Sequence, residues 1–259
     1  MIDLGAAPHA DASLPTAVSV QVIEAAEVAP PRAAAQIASH IRTFHPRRGR
    51  MGATRSDAFE RLWPTRGLEI VPGGPCLDQV ALFGRRAPLV LEIGCGMGEA
   101  TAAMAAADPD RDYLAADVHT PGLANLLALA ENRGPANIRA ARGDAIELLR
   151  DLVAPGSLDA VHVYFPDPWP KAKHHKRRLV RPDAVALIRN TLRLGGLLRC
   201  ATDWEPYAQQ MLEVLSADTG LRNLYPGFAP DAGPRPLAKF ERRALASGRP
   251  VFDLVFRRA

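Results

Sequence analysis

The sequence predicts an α/β protein with a doubly wound, mostly parallel, seven-stranded sheet that carries helices on both faces. Two observations support this fold class. From residue 87 onward, short apolar runs alternate with segments of helical periodicity, as in sheets built from βαβ units. The first apolar run also ends in a glycine-rich sequence, LEIGCGMG at 91–98, and open α/β sheets bind ligands at the carboxyl ends of their strands.

Before residue 87 the sequence predicts an extension, a basic segment and one short helix. Residues 1–40 are rich in alanine and proline without a sustained period, so we expect a disordered extension followed by one domain over residues 41–259. The short helix is predicted to begin at Ser56 or Asp57 and to end at Pro64. The basic segment between them contains Arg42, Arg47, Arg48, Arg50 and Arg55.

The elements after residue 87 follow in a regular order. Each strand is a short run of apolar residues, and each helix has a wider spacing of apolar and polar residues. Strands are predicted in APLVLEIG, DYLAADV, NIRAARGD, LDAVHVYF, GLLRCATDW and VFDLVFRRA. Helices are predicted in GEATAAMAAAD, PGLANLLALAENRG, DAIELLRDL, RPDAVALIRNTLRLGG (capped at Asp183) and EPYAQQMLEVLSAD.

The composition excludes several classes of protein. Cys76, Cys95 and Cys200 are far apart and form no C-x-x-C pair, so we expect no disulfide framework and no metal site. No apolar run approaches the roughly 20 residues of a membrane helix, and the N-terminus lacks the charge layout of a signal peptide. We therefore expect a cytoplasmic protein without a membrane partner.

The glycine-rich loop predicts a ligand site. Gly94, Gly96 and Gly98 follow a strand and precede a helix, where glycine permits a tight turn and a close approach of backbone to ligand. The dinucleotide pattern G-x-G-x-x-G differs, because Glu99 stands where its third glycine would be. A tight turn without a ligand is the simpler alternative.

Acidic residues at three successive strand ends indicate the kind of ligand. Glu92 precedes the loop, and a carboxylate there would repel a pyrophosphate but attract a cation such as the sulfonium and amino groups of S-adenosylmethionine. Asp117 ends the second strand, where an acid accepts hydrogen bonds from ribose hydroxyls, and Asp144 ends the third, where adenine would lie. The alternatives are that Glu92 interacts with a helix dipole and that Asp144 is a helix N-cap.

The segment FPDPWPKAKHHKRRLV predicts an acceptor site for a polyanion. Asp167 lies between two prolines that restrict the backbone around it, and Trp169 offers a flat face to a base or a backbone. Six basic residues follow before the next acid, Asp183, and such a cluster binds phosphates unless it is only a solvated face. These residues are Lys171, Lys173, Lys176, Arg177, Arg178 and Arg181.

Four segments resemble the bacterial tRNA (guanine-N7)-methyltransferase family: LEIGCGMGE, VYFPDPWPKAKHHKRRLV, CATDWEPYA and PLAKFERRA. The similarity runs from about residue 42 to the end, and FPDPWPK with the basic run is its most specific part. The resemblance implies a Rossmann-like class I methyltransferase, active as a monomer or homodimer. It also implies transfer of the methyl group of S-adenosylmethionine to N7 of guanine 46 in the variable loop of tRNA.

The resemblance also implies residue roles. The donor site comprises Glu92, Gly94, Gly96, Gly98, Asp117, Asp144 and Asp167. Guanosine contacts are implied for Lys171, Asp203, Ala238, Lys239, Phe240 and Glu241. RNA contacts are implied for Lys173, His174, His175, Lys176, Arg177 and Arg178.

One of these residues departs from the family motif, and two others have an alternative structural role. The family motif T-K-F-E has a threonine where this chain has Ala238, so a hydroxyl contact is missing or replaced. Asp203 could instead cap the helix that begins at Glu205. Glu241 could instead be a surface acid that balances the arginines after it.

The chemistry suggests a role for Asp167. Guanine N7 has a lone pair and no proton, so its methylation requires orientation and stabilisation of a developing positive charge rather than a strong base. Our hypothesis is that Asp167 is the catalytic residue, with Asp203 helping to orient the base. The alternatives are a methyltransferase acting on an exocyclic amine, a non-catalytic RNA-binding subunit and an NAD-linked reductase.

Overall fold

The computed structural model describes residues 41–44, 51–231, 233, 235–236 and 239–259. Residues 41–259 form one compact unit. The predicted extension, residues 1–40, lies outside the described residues, as do Ala238 and three arginines of the basic segment: Arg47, Arg48 and Arg50.

Strands and helices alternate along most of the described chain. The strands are β1 (Gly67–Glu69), β2 (Leu89–Ile93), β3 (Asp112–Asp117), β4 (Ile138–Arg142), β5 (Leu158–Tyr164), β6 (Leu192–Thr202), β7 (Leu221–Asn223) and β8 (Phe252–Arg258). The helices are α1 (Ala53–Arg66), α2 (Gln79–Phe83), α3 (Glu99–Ala107), α4 (Thr120–Arg133), α5 (Ala145–Glu147), α6 (Pro182–Thr191), α7 (Glu205–Ala217) and α8 (Lys239–Ala246). A π-helical turn, Leu148–Leu152, extends α5, and a 3-10 helix occupies Ala172–Arg177.

The strands form one sheet in the order β1-β4-β3-β2-β5-β6-β8-β7. Strands β1 to β6 pair in parallel, and β8 is antiparallel to both β6 and β7. The doubly wound, mostly parallel fold is therefore confirmed, with eight strands instead of the expected seven. Strands β1 and β7 have three residues each, too few to show a period in the sequence.

The predicted boundaries of two helices are wrong. Helix α6 ends at Thr191 because Leu192 is buried and pairs with Leu158 of β5. Its N-cap is Arg181, and Asp183 accepts a hydrogen bond from the Arg181 side chain instead of capping the helix. Helix α1 begins at Ala53, and Pro64 lies inside its last turn instead of ending it.

The sheet separates two apolar cores. In β2 all five residues are buried, and they alternate between the two faces, as expected for a central parallel strand. Leu91 faces α6 and α7, while Val90 faces α3 and α4. This coverage leaves the carboxyl ends of β2, β3, β4 and β5 at one edge, where the predicted ligand residues lie.

Helix α4 packs directly against the glycine-rich loop. A Cβ atom added at Gly122 would lie 1.8 Å from the backbone oxygen of Gly96, and one added at Gly98 would lie 2.5 Å from the Cβ of Leu126. Gly98 also has a φ of 72°, in the left-handed region that favours glycine. Asn125 donates a hydrogen bond of 2.8 Å to the carbonyl of Met97. The loop conformation therefore depends on how closely α4 approaches it.

The substitution Gly122→Ala is expected to lower the free energy of unfolding by about 2 kcal/mol, because overpacking against a backbone atom costs roughly 1–3 kcal/mol. Urea denaturation measures this change. The matched control is Gly52→Ala, where φ is −73° and no atom of the described residues lies within 4 Å of the added Cβ. Equal stability of the two variants would contradict a packing constraint at Gly122.

Candidate active site

A pocket opens at the carboxyl end of β2, at the edge of the sheet predicted from the glycine-rich loop. Glu92 and Gly94 contribute from the end of β2, and Tyr164 and Phe165 close it from the end of β5. The other lining residues are Cys95, Gly96, Met97, Gly98, Glu99 and Ala100. The structure therefore brings four of the predicted cofactor residues, Glu92 and the three glycines, into one cavity.

Glu92 is a buried carboxyl group in this pocket. Its side chain is 3% exposed and accepts a hydrogen bond of 2.5 Å from the hydroxyl of Thr101 in α3. Burial raises the pKa of Glu92 to about 7, the Thr101 hydrogen bond lowers it, and Asp117 raises it. A cation in the pocket would favour the charged form of this carboxylate.

Asp117, at the end of β3, supports the glycine-rich loop. One carboxylate oxygen accepts a hydrogen bond of 2.8 Å from the backbone N–H of Gly96, and the other accepts one of 2.8 Å from the N–H of His119. Burial raises the pKa of Asp117, and the two backbone hydrogen bonds oppose this shift. Asp117 therefore contacts the loop through hydrogen bonds that the sequence did not predict.

Asp144 is the N-cap of α5. Its carboxylate is buried and accepts a hydrogen bond of 2.9 Å from the N–H of Ile146. The N-cap alternative for Asp144 is thus confirmed as a structural role. The residue also lies at the same edge of the sheet as Asp117, because Gly143 donates a hydrogen bond to the Asp117 carbonyl.

The loop that carries Asp167 has a strained backbone at both ends. Phe165 has a φ of 51° and Trp169 a φ of 45°, in a region that non-glycine residues rarely adopt. The N–H of Phe165 donates a hydrogen bond of 2.8 Å to the carbonyl of Ala201. Arg178, which is 2% exposed, donates one of 2.9 Å to the carbonyl of Pro168. Both contacts fix the loop that presents Asp167.

Arg178 is part of the support of this loop rather than of the exposed basic face. Its guanidinium also hydrogen-bonds Gln210 of α7 and lies 4.7 Å from the ring centre of Tyr207. The Tyr207 hydroxyl in turn accepts a hydrogen bond from the N–H of Val180. The resemblance assigned Arg178 to RNA; the structure shows a buried side chain that packs between the loop and α7.

Arg177 and Trp169 hold the described residues that precede α1. The Arg177 guanidinium lies 3.7 Å from the ring centre of Trp169, a cation–π contact. Arg177 donates hydrogen bonds to the carbonyls of Arg42 and Phe44, and the Trp169 indole donates one to Thr43. Residues 42–44 are therefore attached to the loop of Asp167, as neither sequence motif alone predicts.

The rest of the predicted RNA-binding run lies on the surface. Lys171, Lys173, His175 and Lys176 are exposed in and beside the 3-10 helix, while His174 is partly buried with its ring against Trp169. This basic face begins four residues after Asp167.

Two of the remaining predicted residues, Asp203 and Glu241, form ion pairs. Asp203 pairs with Arg249 at 2.7 Å and does not cap α7, whose N-cap is Trp204 without a side-chain hydrogen bond. Glu241, in the first turn of α8, is buried and pairs with Arg235, so it is not a surface acid. Lys239 and Phe240 begin the same helix.

Several residues at the site were missed by sequence reasoning. Tyr164 and Phe165 line the pocket, and Thr101 bonds the buried carboxyl group. Arg235 forms ion pairs with both Glu241 and Asp253. The available signals were Thr101 within an alanine-rich helix and Asp253 within an apolar strand. Polar residues at buried positions require partners.

The sheet, the glycine-rich loop after β2 and the buried carboxyl group beside it define a class I methyltransferase. A family model described as "Putative methyltransferase" matches residues 86–254. The chain belongs to the tRNA (guanine-N(7)-)-methyltransferase family, because relatives with that name are 49–57% identical over 84–86% of this chain.

Three relatives with that name illustrate the match. The Streptomyces avermitilis protein is 57% identical over 220 residues, which are 84% of this chain and 75% of the relative. The Paraburkholderia xenovorans protein is 49% identical over 84% of this chain and 83% of the relative. The Bordetella pertussis protein is 50% identical over 86% of this chain and 87% of the relative.

A solved structure supports the fold. The crystal structure of the 16S rRNA methyltransferase KamB has a TM-score of 0.54 and 17% identity, covering 71% of this chain and 94% of that chain. At this identity the likeness concerns the fold alone. In the part of the chain that the structure describes, none of the helices has the length and apolar character needed to span a membrane.

The raised pKa of Glu92 predicts a pH-dependent stability. Between the ordinary value of 4.5 and about 7, the unfolded chain releases a proton that the folded chain keeps, so rising pH lowers the free energy of unfolding. Relative to Glu92→Gln, the wild-type protein should lose about 3 kcal/mol across this window. Urea denaturation at a series of pH values measures the difference.

The control is Glu99→Gln, which alters a half-exposed carboxylate of the same pocket. Its unfolding free energy should follow that of the wild-type protein across the same pH range. Parallel curves for the wild-type protein and Glu92→Gln would show that Glu92 ionises with an ordinary pKa.

Proposed function

We propose that the protein transfers the methyl group of S-adenosylmethionine to N7 of guanine 46 in the variable loop of tRNA. The observation that carries this proposal is the position of the Asp167 loop, which joins the cofactor pocket at Phe165 to the exposed basic face at Lys171–Lys176. The names of the relatives, tRNA (guanine-N(7)-)-methyltransferase, support the same substrate.

The pocket residues fit S-adenosylmethionine. Glu92 places a carboxylate where a positively charged amino group would be stabilised, and the glycine-rich loop leaves its backbone accessible. We assign Asp117 and Asp144 to the ribose and adenine, because both lie at the carboxyl edge of the sheet beside the loop. When bound, this cofactor supplies a methyl group on a cationic sulfur, which guanine N7 accepts without losing a proton.

Asp167 is proposed as the catalytic residue. A carboxylate beside the guanine accepts hydrogen bonds from its N1 and N2 donors and stabilises the positive charge that the purine gains. The strained, doubly anchored loop restricts where that carboxylate can lie, which favours a fixed orientation of the base. Asp203 and Lys171 are proposed to orient the nucleoside, together with the first turn of α8.

The basic face is proposed to bind the tRNA backbone. Lys173, His175 and Lys176 are exposed there, and a row of cations beside an acceptor site attracts phosphates. We propose that His174 and Arg177 contribute to this face from their positions beside Trp169.

The catalytic domain is proposed to span residues 41–259. We propose that it acts as a monomer or homodimer, in the cytoplasm, where its substrate tRNA is found.

Incubation with tRNA and S-adenosylmethionine is expected to yield 7-methylguanosine at the variable loop, detected in nuclease digests and mapped by aniline cleavage. The variant Asp167→Asn keeps the shape of the side chain and removes its charge. Its kcat should fall about 100-fold or more, because preorganised charge stabilisation contributes that much in other enzymes, while its Kd for cofactor should change by less than about threefold.

Two results would contradict these assignments. Methylation at an exocyclic amine, or at N1, would exclude guanine N7 as the acceptor. Near-normal turnover of Asp167→Asn would remove Asp167 from the catalytic role, even if the wild-type product were 7-methylguanosine.

The double substitution Lys173→Gln with Lys176→Gln is expected to weaken tRNA binding and its salt dependence. Each lost phosphate contact should reduce the slope of log Kd against log salt by about 0.7 to 0.9. Filter binding at several salt concentrations measures the slope.

The matched control removes Arg86 and Arg111, both of which precede strands at the opposite edge of the sheet. Arg86→Gln with Arg111→Gln changes the net charge equally but should leave the slope unchanged. An equal loss of slope in both double variants would indicate a general charge effect instead of a local binding face.

A further inference from the structure

A buried arginine joins three parts of the structure that border the site. The Arg235 side chain is 1% exposed and lies between β7 and α8 in the chain. It forms an ion pair with Glu241 in the first turn of α8, and both of its bonds to the Asp253 carboxylate, on β8, are 2.9 Å long. Its guanidinium therefore links α8 to the sheet.

The same guanidinium reaches the wall of the cofactor pocket. Its central carbon lies 5.3 Å from the ring centres of both Tyr164 and Phe165, at the distance of a cation–π contact. Both rings line the pocket, and Phe165 begins the strained loop of Asp167. Arg235 thus contacts Tyr164 and Phe165 on the donor side of the site. It also binds Glu241 on the acceptor side.

The ion-pair cluster of Arg235, Glu241 and Asp253 is not explained by a contribution to stability alone. Nε of Arg235 is buried without a hydrogen-bond partner among the described residues, and such groups cost free energy. Two acids, the buried Glu241 and the partly buried Asp253, share the one guanidinium. Buried ion pairs are on average weak contributors to stability, although they can fix a unique arrangement of groups.

We propose that Arg235 is a positioning residue for methyl transfer, which holds the Glu241 carboxylate of α8 in register with the cofactor pocket. This inference rests on the proposed function, in which Glu241 contacts the guanosine. Arg235 acts through Glu241 rather than on the substrate. Because the fork of one guanidinium binds both acids, a lysine cannot replace it: an ammonium group acts as a point charge and does not offer the planar, two-sided geometry.

The test is a double-mutant cycle on methylation of tRNA, with Arg235→Gln, Glu241→Gln and the double variant. If Arg235 acts through Glu241, each single substitution lowers kcat about 10-fold or more, and the double variant is no worse than the poorer single by more than about threefold. The Kd for cofactor and the melting temperature are measured for every variant. Independent, multiplicative losses in the double variant would overturn the proposal.

Arg235→Lys covers the case in which Arg235→Gln does not fold. We expect this variant to bind cofactor with nearly wild-type affinity and to lose kcat; full activity would overturn the proposal, as would a loss explained entirely by weaker cofactor binding. The control cycle uses Arg189→Gln and Asp218→Asn, a half-buried ion pair between α6 and the end of α7. That cycle should leave kcat unchanged.

Failure of the proposed function is distinguishable from failure of this inference. If the wild-type protein forms no 7-methylguanosine in tRNA, the proposed function is wrong and the cycle has no reaction to measure. If the wild-type protein forms it and the losses multiply, only the positioning role of Arg235 is wrong.

Discussion

The contact between α4 and the glycine-rich loop is the constraint on which the site depends. Because Gly122 has no side chain, α4 can approach the backbone of Gly96 in the glycine-rich loop. Asp117 bonds the same loop from β3. Glu92 and this loop line the same pocket, so the packing contact between the two backbones shapes the cavity around the buried carboxyl group.

Much of the fold could be predicted because its central elements have clear periods. Strand β2 and helix α4 were placed within a residue or two by an apolar run and a closing glycine, Gly134. The boundary of α6 was not, since LRLGG continues a helical pattern and only its pairing with β5 makes it a strand. Long, periodic elements can be predicted from the local sequence. The bounds of short strands, and of segments that become strands only through pairing, depend on partners distant in the chain.

The site was predicted in part for the same reason. Glu92 and the three glycines stand together in one motif, and the structure brings them into one pocket. The roles of Arg178 and Arg235 could not be read from the sequence, because burial distinguishes a supporting arginine from an exposed one and burial depends on the tertiary fold. The positive φ of Phe165 and Trp169 could likewise not be predicted, since neither residue is a glycine.

The position of β8 between β6 and β7 has a consequence for the order of assembly. Strand β7 precedes β8 in the chain and, among the described strands, pairs only with it, so during vectorial synthesis β7 leaves the ribosome before its partner exists. Asp253 is part of β8 and is therefore also synthesised after β7. The half of the sheet that holds the donor pocket can therefore form early, whereas the acceptor side, held by the Arg235 ion pairs, is completed only after β8 has been added.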